Sequence, residues 1–229
     1  MRFILVESIE PLYEDIWTKK RKTYKLWDGK EATSEWDEYT PTNDSKYKRL
    51  VKKPINTLTV DEIKYIFAIA TARYMAQALQ YSSVEEMISA VEEDHSDEDF
   101  QKCYDFLHGL SFPLTIYRAI RKDEIDSNGN LNISGKGRSV SWTTDINLYK
   151  KSNSIFRNEN TIVQAEIDSN IIDSSYTIQN FMHYSLGNNY GRLEEKEITL
   201  KSNFKQSDLK DLHLIDKNLI ERILGEWSE

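Results

Sequence analysis

Glu195 and Glu197, one residue apart in the stretch 191–203 (GRLEEKEITLKSN), are a carboxylate pair placed for acid–base or charge-stabilising chemistry. Ile198, Thr199 and Leu200 favour a strand and are bounded by polar, turn-forming residues, so the stretch reads as a loop feeding a strand. Side chains two apart on a strand share a face. Glu195 and Glu197 are therefore expected to point the same way, about 6–7 Å apart along the strand, with Glu194 and Lys196 opposite. Two ionised carboxylates side by side repel, so the pair needs a cation, a hydrogen-bond network or a function. Taken alone, it reads as a solvated acidic strand end.

Two features upstream supply matching chemistry. Arg118 falls in a strand-like run, 113–120 (PLTIYRAI), whose pattern makes it part-buried. A buried guanidinium needs an anion, and its planar fork suits a carboxylate in an ion pair or a phosphate on a ligand. Ser141-Trp142-Thr143 puts two hydroxyls on one strand face, where they can donate to a carboxylate or bridge to a neighbouring strand. Alternating Ser and Thr are also ordinary on half-exposed strands.

The elements that must position these residues fall into two textures. Before about residue 110 the chain reads as helical. Thr59-x-x-Glu62 has the form of a capping box, and Ile63, Ile66, Phe67, Ala70, Tyr74 and Leu79 follow at helical spacing. Ser83-x-x-Glu86 opens a second helix. Ser96 or Asp97 starts a third, with Phe100, Tyr104 and Leu107 inside it and Gly109 as its stop. His95 and His108, near helix ends without partner spacing, read as structural or solvent-facing rather than metal ligands. Residues 2–6 read as a short strand and 28–57 as irregular. Between them, Tyr13, Ile16, Trp17, Tyr24 and Trp27 recur at spacings near three and four, which reads as an amphipathic helix. Lys19, Lys20, Arg21, Lys22 and Lys25 make that segment the most basic in the chain, so it also has a second reading as a base-stacking surface for single-stranded nucleic acid.

After residue 110 the pattern is mostly β. Strands are expected at 113–120, 138–144, 161–167, 195–200 and 211–215, with turns at 128–130 and 135–137. Asp145 is a good N-cap for a short segment, 147–152. A helix near 178–186 precedes a Gly/Asn loop, and an amphipathic helix through Leu219, Ile220, Ile223, Leu224 and Trp227 ends the chain. The expected organisation is α+β: a mainly helical region, 1–110, then a mixed, mostly antiparallel β core, 111–229.

Composition bounds the function. At 229 residues with 13 Tyr, 8 Phe and 5 Trp there is enough bulk for a core, despite an apolar fraction of 39% against a usual ~45–50%. A net charge of −8 argues against a large electropositive footprint for duplex nucleic acid, while leaving room for a local basic groove. Cys103 is the only cysteine, which excludes an intrachain disulfide and a cysteine zinc cluster. No run approaches the ~18 apolar residues of a membrane span, and the opening apolar run is too short for a secretory signal. The expectation is a soluble, cytoplasmic protein with no metal and no membrane partner.

The order aromatic-Arg, Ser-x-Thr, Glu-x-Glu, each on a strand, resembles the Arg–Ser–Glu branch of the mono-ADP-ribosyltransferases. The resemblance covers about 115–201, with Ser-Trp-Thr where Ser-Thr-Ser is usual and Ala119 where glycine is frequent. It implies an ADP-ribosyltransferase β-sandwich, with NAD as substrate and no metal. Arg118 would grip an NAD phosphate, with Tyr117, Trp142 and Thr143 beside the cofactor. Ser141 would hold Glu197, the catalytic carboxylate, and Glu195 would orient or deprotonate the acceptor. His183, Tyr184, Tyr190 and Arg192 would read that acceptor, and a glutamate at the first position of the pair leans towards arginine on a protein. The resemblance also implies a toxin or phage-conflict effector, partnered by an antitoxin or inhibitor. Two other readings compete: transfer to RNA or DNA, and a non-enzymatic partner-binding module.

Overall fold

The computed structural model describes residues 17–25, 31–39, 44–74, 84–120, 124–128, 130–133, 141–146, 161–185 and 196–216. The chain divides into two compact units, Met1–Lys53 with Leu58–Phe100, and Pro54–Thr57 with Gln101–Glu229.

The first unit opens with an antiparallel hairpin, β1 (Trp17–Lys25) and β2 (Glu31–Tyr39). This corrects two sequence readings: the described part of the basic-aromatic segment, 17–25, is a strand rather than a helix, and the stretch read as irregular contains a strand at 31–39 and a short helix at 45–50. The physical reason lies in the pairing. Lys19, Arg21 and Lys25 stand in register with Asp37, Glu35 and Glu31 on the partner strand. Trp17, Thr18, Thr23 and Tyr24 are also β-favouring. Short helix α1 (Ser45–Leu50) follows, capped by Asp44, whose Oδ1 accepts from the Tyr47 amide at 2.6 Å while Oδ2 accepts from the Tyr65 hydroxyl at 2.8 Å.

Helix α2 (Val60–Tyr74) begins at the expected capping box. The Glu62 amide donates to Thr59 Oγ1 at 3.3 Å, and the Thr59 amide donates to Glu62 Oε2 at 3.1 Å. Helix α3 (Val84–Asp94) and helix α4 (Asp97–His108) complete the helical set. Lys64 donates to both Glu92 and Asp97 at 2.8 Å; Asp97, then Glu92, strengthens its hold on its proton. Beneath it Ile63, Ile66, Phe67, Met87 and Phe100 are buried, and the His95 ring packs edge-on against Phe67. The chain passes into the second unit within α4, which stops at Gly109 as expected.

The second unit is built on a five-stranded antiparallel sheet in the order β6-β4-β3-β5-β7. Its strands are β3 (Leu114–Ala119), β4 (Ser141–Thr143), β5 (Thr161–Ile167), β6 (Glu197–Thr199) and β7 (Lys210–Asp216). Between β5 and β7 the register slips, leaving Asp211 and Leu212 opposite Ala165. Asp211 takes a φ of 45° there, the left-handed geometry a bulge of this kind uses. Ile116, Trp142, Val163, Ala165 and Ile198 are buried within this unit.

Helix α5 (Ser174–Asn180), which runs into a π-helical turn at Phe181–Ser185, starts four residues before the sequence pattern placed it. Its residues SSYTIQN are mediocre helix formers, so its docking decides its position. Asp173 caps it, accepting from the Tyr176 amide at 3.1 Å. The molecule is thus α+β, with helices and an antiparallel sheet. The expected strand at 2–6, segment 147–152, loop 187–191 and helix through Leu219–Trp227 lie outside the described residues, as does Ser83 of the second capping box.

Candidate functional site

The three motif strands are consecutive neighbours, with β4 lying between β3 and β6. Register fixes which side chains share a face, because residues directly opposite on antiparallel strands project to the same side. Tyr117 faces Thr143, Thr143 faces Glu197, and Ser141 faces Thr199. Tyr117, Ser141, Thr143, Glu197 and Thr199 therefore form one polar face. Trp142 faces Ile198, and with Arg118 it belongs to the other face.

The spacing on the polar face follows from the outer edge of β6. The Thr199 amide donates to Thr177 Oγ1 at 3.0 Å, and its carbonyl accepts from the Asp173 amide at 2.8 Å. Thr199 thus turns its backbone polar groups towards α5, away from β4. The Ser141/Thr199 and Thr143/Glu197 pairs are consequently the closer, non-hydrogen-bonded kind, with Cα atoms about 4.5 Å apart. Thr143, fully buried, is the hydroxyl directly across from Glu197. Ser141 sits one diagonal away, about 7–8 Å, which shifts the motif's closest hydroxyl from Ser141 to Thr143. Thr143 Oγ1 also accepts from the Asp145 amide at 3.1 Å, turning the chain out of β4.

Glu197 is half-buried and accepts from Asn180 Nδ2 at 2.9 Å; the same amide nitrogen donates to Thr199 Oγ1 at 3.1 Å. Asn180 was missed in the sequence, where it is one polar residue at the end of a weak helix and carries no motif. Burial holds the Tyr117 phenol above its ordinary value, keeping it a neutral donor on the same face.

Arg118 is only 4% exposed and so is Glu124. Its two terminal nitrogens donate to the two Glu124 oxygens at 2.9 and 2.8 Å, and its guanidinium lies 5.1 Å from the Trp142 ring centroid. Of the two anions that the sequence left open, this arrangement realises the carboxylate. The need for a partner was legible; which acid would supply it, among Asp123, Glu124 and Asp126, was not.

Lys196 enters β6 with a φ of 41°. Glu195, Tyr190 and Arg192 lie outside the described residues, as does the Tyr184 side chain. His183 is exposed on the π-helical turn.

No family model, curated protein or solved structure matches this chain.

Among the described residues there is no group of three His, Cys, Asp or Glu side chains placed to hold a metal ion, and no helix long and apolar enough to cross a membrane. Cys103 is buried, and burial pushes its thiol up, away from nucleophilic use.

Proposed function

We propose that the second unit is an NAD-dependent mono-ADP-ribosyltransferase with a β-sandwich core of that family's type. It would transfer ADP-ribose to an intracellular macromolecule, arginine on a protein being the favoured acceptor, in the setting of a toxin or phage-conflict effector. One observation carries the reading: the Arg118, Ser141 and Glu197 strands are adjacent in the sheet, and Glu197 stands in register with Thr143.

The chemistry suits the surroundings of Glu197. Breaking the bond between nicotinamide and ribose develops positive charge on the sugar, and a fixed carboxylate beside it stabilises that charge. Nicotinamide leaves with the bonding pair as a neutral ring, so no acid is required. The acceptor's nitrogen forms the new bond to the sugar carbon and surrenders a proton, the task assigned to Glu195. The hydroxyls of Ser141, Thr143 and Thr199 keep the face polar around Glu197. Arg118 projects from the sheet face opposite Glu197 and gives both terminal nitrogens to Glu124, so this geometry supports Glu197 as the catalytic carboxylate without giving Arg118 the NAD phosphate.

The test is incubation of the purified chain with labelled NAD and a whole-cell lysate, alongside Glu197→Gln. Transfer of label by the parent, reduced roughly 10²–10³-fold in the variant, is the expected result. Absence of label movement and of nicotinamide release in the parent would remove the enzyme reading.

A further inference from the structure

We infer that Asn180 is the positioning residue for Glu197, fixing the direction of its carboxylate and favouring its ionised form. The catalytic consequence rests on the ADP-ribosyltransferase reading; the positioning itself rests on geometry. Asn180 spends one amide nitrogen on two acceptors, Glu197 Oε1 at 2.9 Å and Thr199 Oγ1 at 3.1 Å. An ionised carboxylate can only accept, so the amide must present its nitrogen, and the Thr199 hydroxyl accepts from that same nitrogen.

The support beneath Asn180 is independent of that contact. Thr177, one turn earlier on α5, takes the Thr199 amide. The Asp173 amide takes the Thr199 carbonyl, and the Lys201 amide donates to the Ile171 carbonyl at 2.9 Å. A bridge between Ile172 and Leu200 extends the same seam. These bonds lock α5 to the edge of β6, so the end of the helix is delivered to Glu197 rather than merely near it. The helix changes to a π-helical turn immediately after Asn180, a distortion that recurs at functional sites.

A donor to a carboxylate stabilises its charged form. The titratable or charged groups on the elements around Glu197 are Tyr117 in β3, Asp145 after β4, Asp173, Tyr176 and His183 on the α5 segment, and Lys196 and Lys201 flanking β6.

Two readouts separate this inference from the activity on which its consequence depends. Carbon NMR of the glutamate carboxyls, with Glu197 assigned by comparison with Glu197→Gln, follows the proton directly. The Glu197 midpoint should rise from parent to Asn180→Ala by about half a unit or more, and further in Asn180→Asp, where a second carboxylate repels it. Turnover of NAD should fall roughly 10–100-fold in Asn180→Ala, the rate equivalent of one charge-assisted hydrogen bond, with the NAD dissociation constant within about threefold. An unchanged Glu197 midpoint in both folded variants overturns the inference, whatever the activity. A shifted midpoint in a protein that consumes no NAD upholds the positioning and removes the enzyme reading instead.

Discussion

Removing the guanidinium of Arg118 would strand the Glu124 carboxylate where both side chains are almost wholly buried. An uncompensated charge in such a place costs roughly 3–5 kcal/mol, whereas exchanging both partners for apolar residues of similar volume is often neutral or stabilising. Arg118→Met should therefore unfold at much lower denaturant, and Arg118→Met/Glu124→Leu should recover most of the loss. A four-protein denaturation cycle measures this, and equal destabilisation by the single and double replacements would show that the ion pair is not what holds Arg118. NAD affinity of the double variant then separates two roles: unchanged affinity leaves Arg118 structural, and a loss of tenfold or more assigns it a phosphate. Among the described residues Arg118 Nε has no hydrogen-bond partner, while both terminal nitrogens are on Glu124. At this scale the sequence singled out candidate residues more readily than it disclosed their partners. A buried Arg announces that it needs an anion, but Glu124 and Asn180 reach their partners through folding that no local pattern encodes.

Among the elements, capped helices were legible because their signals are local. Thr59 and Glu62 meet three residues apart, and the Ser96 and Asp99 amides are satisfied in the same reciprocal way. Glu62 does a second job, accepting both contacts from Lys53 Nζ at 2.8 Å. That donation holds the Glu62 carboxyl below its ordinary 4.5. The folded chain thus binds this proton less tightly than the unfolded chain. The contribution is complete above pH 4.5 and disappears as pH falls through the lowered folded value. Lys53→Met should cost less than about 1 kcal/mol at pH 7, given the pair's exposure, and the difference from parent should vanish once pH has fallen through the lowered Glu62 value. A gap persisting in acid, measured by urea unfolding at both pH values, would assign the effect to the packing of the Lys53 stem. The hairpin was illegible for the opposite reason. Aromatic spacing in 13–27 satisfied a helical period by coincidence, while the partner strand lay in the next segment, where Glu31, Glu35 and Asp37 stand in register with Lys25, Arg21 and Lys19. α5 was misplaced because Asp173 and Thr177 anchor it to a strand that comes later in the chain.

For the molecule as a whole, charge and topology together bear on the acceptor. The strand order was beyond sequence patterns, since the pairing of β6 with β4 joins segments separated by a helix and a further strand; only the resemblance gave a reason to expect the motif strands to meet. The net charge is −8, and three cations of the most basic segment stand opposite three acids in the β1–β2 ladder. Nucleic-acid affinity at physiological salt comes chiefly from cations that release phosphate counterions, and an overall negative charge opposes it. Single-stranded RNA should accordingly bind more weakly than the ~10⁻⁴–10⁻⁶ M usual for non-specific binders at physiological salt. The label transferred from NAD should resist nuclease and be lost to protease. Replacing Lys19, Lys20, Arg21 and Lys22 by Gln should leave that transfer within about twofold, because a protein acceptor does not depend on phosphate contacts. Nuclease-sensitive label whose yield falls steeply with salt, and falls again in the quadruple variant, would instead make β1 the docking strand for a nucleic-acid acceptor.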